Sequence, residues 1–526
     1  MSVTESKQEA IMTECVEALP PPSLTRRDGK GLKPDDVYIQ SSELSSRALS
    51  TVSLPPLASG EDALPEQPLT RHLLFATFVA SIGSFQYGWN IGTVSIPADT
   101  IHLCTPTPTS SSLPDCLPMS SNIWAFFIGS FALGGLFGGL LAGPLTARFG
   151  RLIPFHITNA IFLAAGVFMA ASVNPGMIIF GRFLSGLGTG AASSVVPMYV
   201  GEISPPMWRG VLGTVFSFSI CIGLNAAQLI SIPLNYYPGW RILFAGTAVW
   251  AIFMSALLPW CYETPKYLVS KGKITEARAS LAKLRETDDV TLELSNLLKA
   301  HEEEHAIASA SMSILEIVRS RTLRKPLLLA SMLHIAQQLS GISPIFAFSA
   351  QLFSGFMAPS TARWVSVALT FVNTIGTAIA ALLMDRSGRR VLLLTAIAGM
   401  AACEILIIPL SLHHASIPSS IFLIITVFFY ALGLGPVPWL LIPEIFPTTA
   451  ISAASSCSTS LNWMFVFVMS YAFPQMQRTM GVWSFLVFAG FMVAAGIGAW
   501  FMLPETRERD VESVVEGFRK GKWRSA

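Results

Sequence analysis

The sequence predicts an all-α membrane protein with twelve transmembrane helices arranged as two pseudo-symmetric six-helix bundles. The first observation is uneven charge: segments 1–72, 263–325 and 504–526 contain 50 of the 66 charged residues, and the other 368 residues contain 16. So few charges cannot cover a water-exposed surface, so those 368 residues face lipid or each other. The second observation is a series of apolar runs, each close to the roughly 20 residues that cross a bilayer. They fall at about 73–97, 123–147, 153–172, 177–200, 210–232, 241–260, 327–354, 364–384, 391–412, 417–443, 452–473 and 481–503.

The polar segments divide the chain into five parts. Residues 1–70 lack a basic start followed by an apolar core, which predicts a disordered cytosolic tail without a cleavable signal peptide. Residues 71–262 are the predicted N-terminal bundle, and residues 327–503 are the predicted C-terminal bundle. The charged stretch 263–326 is predicted to be a cytosolic linker with short helices, and 504–526 to be a cytosolic tail.

An internal repeat supports two related halves. Arg148 and Arg151 follow the second apolar run as Arg-x-Gly-Arg, and Arg386 and Arg389 repeat this pattern after the eighth run. A Glu-Thr pair also follows both the sixth and the twelfth run. With the N-terminus inside, the short inner loops carry six arginines and the short outer loops carry three, which predicts cytosolic N- and C-termini. Two related six-helix halves are the expected build of one large class of transporters.

Composition also argues against several function classes. The net charge is +2 without a Lys/Arg-rich patch, so nucleic acid is not an expected partner. The sequence has no Gly-rich phosphate loop with lysine, no HExxH motif and no paired catalytic carboxylates in one cleft, so we expect no enzyme, no cofactor and no metal. Cys104 and Cys116 lie between the first two runs, where they form either a disulfide, if that loop is outside the cytosol, or two free thiols.

A polar face on the seventh run indicates a cavity inside the membrane. His334, Gln337, Gln338 and Gly341 lie at i, i+3, i+4 and i+7, so they share one face of a helix. Large polar side chains in a membrane helix are costly unless they line a wet cavity or bond to other helices, and both interpretations stay open. Amide donors and acceptors without a strong charge suit a neutral polar ligand, which fits the interpretation as a wet cavity.

Several strings in a joint order carry a family resemblance. They are GSFQYGWN at 83–90, the glycines and arginine of 181–190, PMYVGEIS with a later Arg-Gly at 197–210, QQLSGI at 337–342, and GPVPW with EIFP at 435–447. With them, the sequence resembles the sugar porter family of the major facilitator superfamily, which includes facilitative glucose and fructose transporters and fungal hexose transporter-like proteins. The resemblance covers about 70–508 and implies the major facilitator fold.

The resemblance also implies where a sugar binds. The predicted substrate-binding residues are Gln337, Gln338, Asn373, Trp439, Asn462, His334 and Ser217. Five of them match sugar-contacting positions of the family, and Trp439 is expected to close over the sugar ring beside a flexible Gly-Pro-Val-Pro break. His334 stands where many members have glutamine, and Ser217 stands where the family usually has a sugar-binding glutamine. Further departures from the family pattern are Ala147, Ser343, Ala431 and the absence of the usual arginine after Glu444.

Charged residues at the predicted cytoplasmic helix ends suggest a gate. They are Arg148, Glu202, Arg209, Asp385, Arg386, Arg389, Arg390 and Glu444. Both signs recur in both halves, which favours ion pairs between helices over plain solvated charges. In the family, such pairs latch the outward-open form and break as the protein turns inward, which is the behaviour of a two-state element. Gly186 and Gly190 lie four residues apart and are predicted to allow close helix packing.

Asn90 favours facilitative uniport over proton coupling. Proton-driven members of the family place an aspartate there, and an amide cannot exchange a proton at physiological pH. His334 and Glu404 keep a proton-coupled sugar or inositol symporter open as a second function, although Glu404 is expected to be a buried, hydrogen-bonded group. A non-transporting nutrient sensor and an exporter of drugs or organic ions also stay open as functions. The expected partners are a small neutral sugar and the bilayer of a plasma, vacuolar or lysosomal membrane, and the expected state is a monomer.

Overall fold

The structure, a computed structural model, describes residues 68–104, 113–308, 312–355, 357–506, 509 and 511–520. The side chains of residues 304–308, 385, 512, 519 and 520 lie outside that description. Most of the predicted N-terminal tail and part of the predicted C-terminal tail also lie outside the described residues. The described residues form helices joined by loops, and none of them lies in a β-strand.

The N-terminal half consists of six long helices and one short helix. Three of the long helices begin at a side-chain cap, because Thr70, Ser120 and Asn174 each accept a hydrogen bond from a backbone N–H in the first turn. In chain order the helices are α1 Arg71–Gly92, α2 Ala98–His102, α3 Ser121–Phe149, α4 Leu152–Ala170, α5 Pro175–Ile203, α6 Arg209–Ser231 and α7 Gly239–Leu257.

In the described part of the chain, four helices of 6 to 18 residues connect the two halves. Their sequence is polar and carries both signs of charge, which suits helices that lie outside the bilayer. A reciprocal cap formed by Ser313 and Glu316 begins the last of them. The helices are α8 Pro265–Ser270, α9 Ile274–Arg285, α10 Thr291–Ala308 and α11 Ile314–Arg319.

The C-terminal half repeats the six-span plan with two interrupted spans. Gly341 has φ +75 and separates the two helices of the seventh span, and a Cβ there would lie 2.6 Å from the ring of Phe488. A π-helix, Tyr430–Leu434, interrupts the tenth span. The helices are α12 Arg324–Leu339, α13 Ile342–Ser354, α14 Pro359–Ser387, α15 Arg389–Leu412, α16 Ser416–Phe429, α17 Val437–Ile445, α18 Thr448–Met480, α19 Ser484–Met502 and, after the last span, α20 Val511–Lys520.

These helices make twelve membrane crossings. Within the described chain, eight helical stretches are long and apolar enough to span a bilayer, and one of them, Thr448–Met502, comprises both α18 and α19. Helices α1 and α5 carry glycine, serine and amide residues that are buried inside the bundle rather than exposed to lipid. The seventh span is divided between α12 and α13. The predicted all-α fold of twelve spans in two six-helix bundles is confirmed.

The second and fourth spans pack backbone against backbone. A Cβ added at Gly186 would lie 1.9 Å from the carbonyl oxygen of Phe131, and one at Gly190 would lie 2.1 Å from that of Gly135. On the facing helix, a Cβ at Gly138 would lie 2.0 Å from the carbonyl oxygen of Leu187. The packing role predicted for Gly186 and Gly190 is therefore confirmed, because no side chain fits between α3 and α5.

The two ends of the molecule have different chemistry. Cys104 and Cys116 form a disulfide, which decides between the two states that the sequence left open. We call the end that carries this bond the disulfide end. The opposite end carries the two Arg-x-Gly-Arg turns, so we call it the arginine end.

The halves meet toward the disulfide end. Helix α3 packs against α18, α6 against α14, and α1 against α13. One buried apolar cluster there contains residues of both halves, including Trp124 and Phe348. The two large clusters of the arginine end each belong to one half, around Tyr199 in the first and Phe446 in the second. The structure is therefore closed at the disulfide end and divided at the arginine end.

Candidate functional site

A cluster of carboxamides lies on α12 and α18, in the interior of the C-terminal half. Gln337, Gln338 and Asn462 are all at least 95% buried. The Asn462 side chain donates to Gln337 Oε1 at 2.7 Å and to the His334 carbonyl at 3.1 Å, and Gln338 Nε2 donates to Asn462 Oδ1 at 3.3 Å. Ser343 Oγ donates to Gln338 Oε1 at 2.5 Å. The cluster is uncharged and rich in donors and acceptors, which suits a ligand with many hydroxyl groups.

The interruption of the tenth span explains how Gln337 is held. Pro438 has no N–H, so the carbonyl of Leu434 loses its usual partner four residues ahead. Gln337 Nε2 replaces that donor, at 3.0 Å from the Leu434 carbonyl and 2.9 Å from the Gly435 carbonyl. Gln337 therefore links the seventh span to the break in the tenth span. A ligand that hydrogen-bonds to its amide N–H groups must compete with these two carbonyls.

Trp439 adds an aromatic face to this cluster. Its ring lies edge-on to His334, with the centroids 4.9 Å apart, and the tryptophan is 44% exposed. His334 is fully buried, with Nδ1 2.9 Å from the Ala330 carbonyl. Its Nε2 has no hydrogen-bond partner among the described residues. Trp439 lies in the first turn of α17, next to the break, and contacts His334 of the seventh span.

The other two predicted sugar-binding residues lie along the seam between the halves. Asn373 on α14 is 92% buried and its Nδ2 lies 3.6 Å from Cys221 Sγ on α6. Ser217 is exposed one turn earlier on α6. Neither residue hydrogen-bonds to the carboxamide cluster within the described structure. The structure therefore brings five of the seven predicted residues together, and the other two, Asn373 and Ser217, lie on α14 and α6 at the seam between the halves.

Each half contains the same ion-pair device at the arginine end. Arg151 donates to Glu202 at 2.6 Å and to the Thr146 carbonyl at 3.2 Å. Arg389 donates through Nε to Glu444 at 3.1 Å and to the Met384 carbonyl at 3.1 Å. Both pairs are largely shielded from solvent, and both occupy the same position in the repeat. The repeat in the sequence therefore corresponds to a repeated three-dimensional contact.

A carboxylate at a helix N-terminus completes each device. Glu263 accepts hydrogen bonds from the backbone N–H groups of Arg151 and Leu152 at 3.0–3.2 Å, and Glu505 accepts from those of Arg389 and Arg390 at 3.0–3.2 Å. These are the unpaired N–H groups that begin α4 and α15, where the helix dipole favours an anion.

The turn glycines make room for these carboxylates. Gly150 has φ +86 and Gly388 has φ +81, and a Cβ at either position would lie within 2.6 Å of a Glu263 or Glu505 oxygen. Only glycine combines this conformation with this close approach.

The remaining predicted gate residues have different surroundings. Arg390 donates to the carbonyls of Leu503 and Trp500, which ties α15 to the end of α19. Arg148 and Arg386 are exposed, and so is Arg209. The Asp385 side chain lies outside the described residues. The second arginine of each Arg-x-Gly-Arg turn therefore pairs with a glutamate, because the glycine before it reverses the chain direction.

These ion pairs do not act as a latch between the halves in this conformation. Arg151–Glu202 lies within the N-terminal half and Arg389–Glu444 within the C-terminal half, and both are formed although the arginine end is divided. These two pairs hold the helix ends of each half together, and the expectation that gate pairs break as the protein turns inward stays a prediction.

The buried arginine of the fourth span has neutral partners. Arg182 is 98% buried and donates to the Asn90 carbonyl at 2.6 Å, and its guanidinium lies 4.4 Å from the centroid of the Phe131 ring. Asn90 Oδ1 accepts from Thr247 at 3.2 Å. Among the described residues, no carboxylate forms an ion pair with Arg182. The partner that the sequence could not identify is therefore a backbone carbonyl together with an aromatic face.

Glu404 corrects another expectation. It is fully buried on α15, as predicted, but neither carboxylate oxygen has a hydrogen-bond partner among the described residues. Helix α15 packs against α16 and α19, and the buried hydroxyl groups of α16 (Ser419, Ser420 and Thr426) donate to backbone carbonyls one turn earlier in the chain and not to Glu404.

Several residues that take part in these sites were not among the predicted site residues. Arg151, Glu263 and Glu505 belong to the repeat, and that repeat is the signal that identifies them. Ser343 follows the Gly-Ile of the seventh span. No sequence signal predicts that Asn225 on α6 bonds to Thr370 and Thr374 on α14, because pairs between the halves depend on helix rotation.

Comparisons with known proteins agree with this architecture. The family model described as "Sugar (and other) transporter" matches residues 76–518. The chain is similar to the dog facilitated glucose transporter member 3, with 33% identity over 86% of this chain and 93% of that protein. It is also similar to the pig member 2, with 32% identity over 87% and 96%, and to the mouse member 4, with 32% identity over 88% and 94%.

Solved structures give the same fold. A partially occluded inward-open structure of the E. coli xylose transporter XylE has a TM-score of 0.68 at 22% identity and covers 82% of this chain and 100% of that one. A structure of the proton:xylose symporter XylE bound to 6-bromo-6-deoxy-D-glucose also has a TM-score of 0.68, at 23% identity, and covers 86% and 99%. The family match, which extends over most of the chain, shows that this protein belongs to the family of sugar transporters, with the major facilitator fold.

Proposed function

We propose that this protein carries a hexose or a related sugar or polyol across a membrane by alternating access, as a facilitative uniporter. The observation that supports this most is the uncharged carboxamide cluster of Gln337, Gln338 and Asn462 beside the exposed Trp439. Amides and an aromatic ring recognise a polyhydroxylated neutral molecule, whereas an organic ion calls for an opposite charge. The names of the relatives make D-glucose the first sugar to test.

The separation of the halves supports alternating access. Hydrogen bonds between described residues of the two halves include Ser95 to Ser349 at 2.9 Å, Asp99 to Gln351 at 3.1 Å and Asn225 to Thr370 at 2.8 Å. All of these lie toward the disulfide end, while Trp439 and Ser217 are exposed on the other side. The sugar therefore reaches the cluster from the arginine end, and a rocking motion of the halves later opens the disulfide end.

We propose that the arginine end and both termini face the cytosol. The proposed membrane is the plasma membrane or the membrane of a vacuole or lysosome. The excess of arginines in the loops at that end supports this orientation. The disulfide of the opposite end supports it too, because disulfides persist outside the cytosol. The ranges 71–262 and 327–503 are the two moving halves of this proposal, and 263–326 is the linker that lets them move.

Asn90 supports uniport. Arg182 donates to the backbone carbonyl of Asn90 and not to a side-chain carboxylate. The side chain of Asn90 cannot bind and release a proton beside this arginine, as an aspartate would. A proton symporter is the second candidate because two buried titratable groups, His334 and Glu404, have side-chain atoms without a hydrogen-bond partner among the described residues. A sensor that binds without transport is the third.

Uptake of labelled sugars by purified protein in vesicles distinguishes these candidates. We expect uptake of at least one hexose down its gradient, unchanged when a pH gradient is imposed or collapsed. Accumulation that requires the proton gradient indicates a symporter, and binding without uptake indicates a sensor. Gln338→Leu tests whether the uptake depends on the cluster, because it removes an amide of the cluster without removing the bonds to the tenth span. We expect this variant to take up less sugar than wild type.

A further inference from the structure

A cavity lies at the disulfide end, apart from the carboxamide cluster. Its volume is about 400 Å³, which is within the range of small-molecule sites. Helices α2 and α3 of the N-terminal half form one side of it, and α13, α15, α18 and α19 of the C-terminal half form the other. The cavity therefore exists only while the halves are together at this end.

The walls of this cavity are aromatic. Trp124 is 98% buried and stacks on the ring of His102, with the centroids 4.5 Å apart and the planes within 5°. Phe348 and Phe473 face it from the other half, with centroids 5.7 Å apart. These side chains can hold a flat ring between the two halves, because aromatic rings pack favourably in stacked and edge-on arrangements.

The rim of the cavity carries a single permanent charge. Arg478 on α18 lines it and donates to the Ser121 hydroxyl of α3, and in the described part of the chain it has no carboxylate partner. The cavity lining contains no aspartate or glutamate. An arginine has five N–H donors, so most of them remain available for an anionic group of a ligand.

We propose that this cavity, which we call the outer pocket, binds a small aromatic monoanion such as an aryl carboxylate, with the ring among the aromatic walls and the carboxylate on Arg478. Because both halves form the outer pocket, such a ligand binds only the conformation that is closed at the disulfide end. It therefore shifts the population toward that conformation and slows transport. The consequence for transport rests on the proposed function, whereas the binding itself does not.

Binding is tested on the purified full-length protein with 2-naphthoate as the probe and titration calorimetry as the measurement. We expect Arg478→Gln to weaken naphthoate binding about three- to tenfold, since the arginine is exposed and its charge is partly screened. Arg478→Lys should retain more of the affinity. The neutral 2-naphthamide should bind more weakly than naphthoate and should not respond to Arg478→Gln. Arg363→Gln is the matched control, because Arg363 is near the same end but does not line the outer pocket.

Transport gives the second measurement. Naphthoate added on the disulfide side should lower the maximal rate of sugar uptake, and excess sugar on that side should not reverse the inhibition. Naphthoate affinity that is unchanged in Arg478→Gln, or is lost equally in Arg363→Gln, overturns the proposal. Specific binding in a protein that transports no sugar supports the outer pocket and counts against the proposed function instead.

Discussion

Packing between the second and fourth spans gives a sharp test of the fold. A Cβ at Gly186 would lie 1.9 Å from the Phe131 carbonyl oxygen and 2.7 Å from the carbonyl carbon, whereas ordinary van der Waals contact begins at 3.4 Å. Gly186→Ala therefore requires a local separation of α3 and α5 of about 1.5 Å, the difference between 3.4 and 1.9 Å. The obstructing atoms are backbone, so no side-chain rotation relieves the clash.

The expected cost follows from overpacking. Extra methyl groups in a tight core cost about 1–3 kcal/mol, and a backbone clash belongs at the upper end of that range. Alanine recovers part of this through its higher helix propensity, which is worth up to about 1 kcal/mol. A net loss of about 2 kcal/mol corresponds to a Tm about 4–8 °C lower for a unit of 150–250 residues, which is the size of one half.

Gly201→Ala is the matched control on the same helix. A Cβ there meets nothing within 4 Å, so only the propensity gain remains and Tm should stay equal or rise. Thermal unfolding of both variants in detergent, followed by size-exclusion chromatography, measures the difference. A Gly186→Ala variant as stable as Gly201→Ala would refute the close packing of α3 and α5.

Three further predictions concern the cluster, the ion pairs and the disulfide end. Gln337→Leu should reduce uptake to background and also lower Tm, because it leaves two backbone carbonyls of the tenth span without their donor. Gln338→Leu should reduce uptake with a smaller loss of Tm. Uptake equal to that of wild type in either variant would mean that the cluster does not bind the sugar. Arg389→Ala breaks the pair with Glu444 that holds helix ends of the C-terminal half together, so it should lower Tm, whereas thiol labelling of cysteines introduced at the disulfide end should stay unchanged because the pair does not join the halves; a Tm equal to that of wild type would contradict this role. Burial lowers the pKa of His102 below 6.5, so its stabilising contribution is present above pH 6.5 and is lost as the pH falls below that value. The Tm of wild type should therefore decrease more between pH 7.5 and 5.5 than that of His102→Asn, and parallel curves would contradict this assignment.

Much of the architecture follows from patterns that act along the chain. The charge distribution locates the spans because burying a charge in lipid is costly wherever it occurs. The glycines at 186 and 190 indicate close helix packing because their four-residue spacing places them on one face. The polar residues of the seventh span share a face because of their spacing, so their grouping could be predicted from the sequence.

Features that depend on turns and helix rotation could not be predicted. Arg151, and not Arg148, pairs with Glu202, because the left-handed turn at Gly150 determines which arginine points back to the bundle. The lack of a partner for Glu404 among the described residues depends on which face of α15 meets its neighbours. The bonds from Gln337 to the tenth span depend on a π-helix, which has no periodic signature in the sequence.

A reversible cross-link at the disulfide end tests the central claim most directly. Ser95 and Ser349 belong to different halves, and their hydroxyl oxygens are 2.9 Å apart. A Ser95→Cys, Ser349→Cys double variant can therefore be oxidised to lock this end, with wild type treated identically as the control for the native disulfide. We expect oxidation to abolish sugar uptake while sugar binding from the arginine end persists, and reduction to restore uptake. Undiminished uptake in fully cross-linked protein would contradict a pocket that opens to one side at a time.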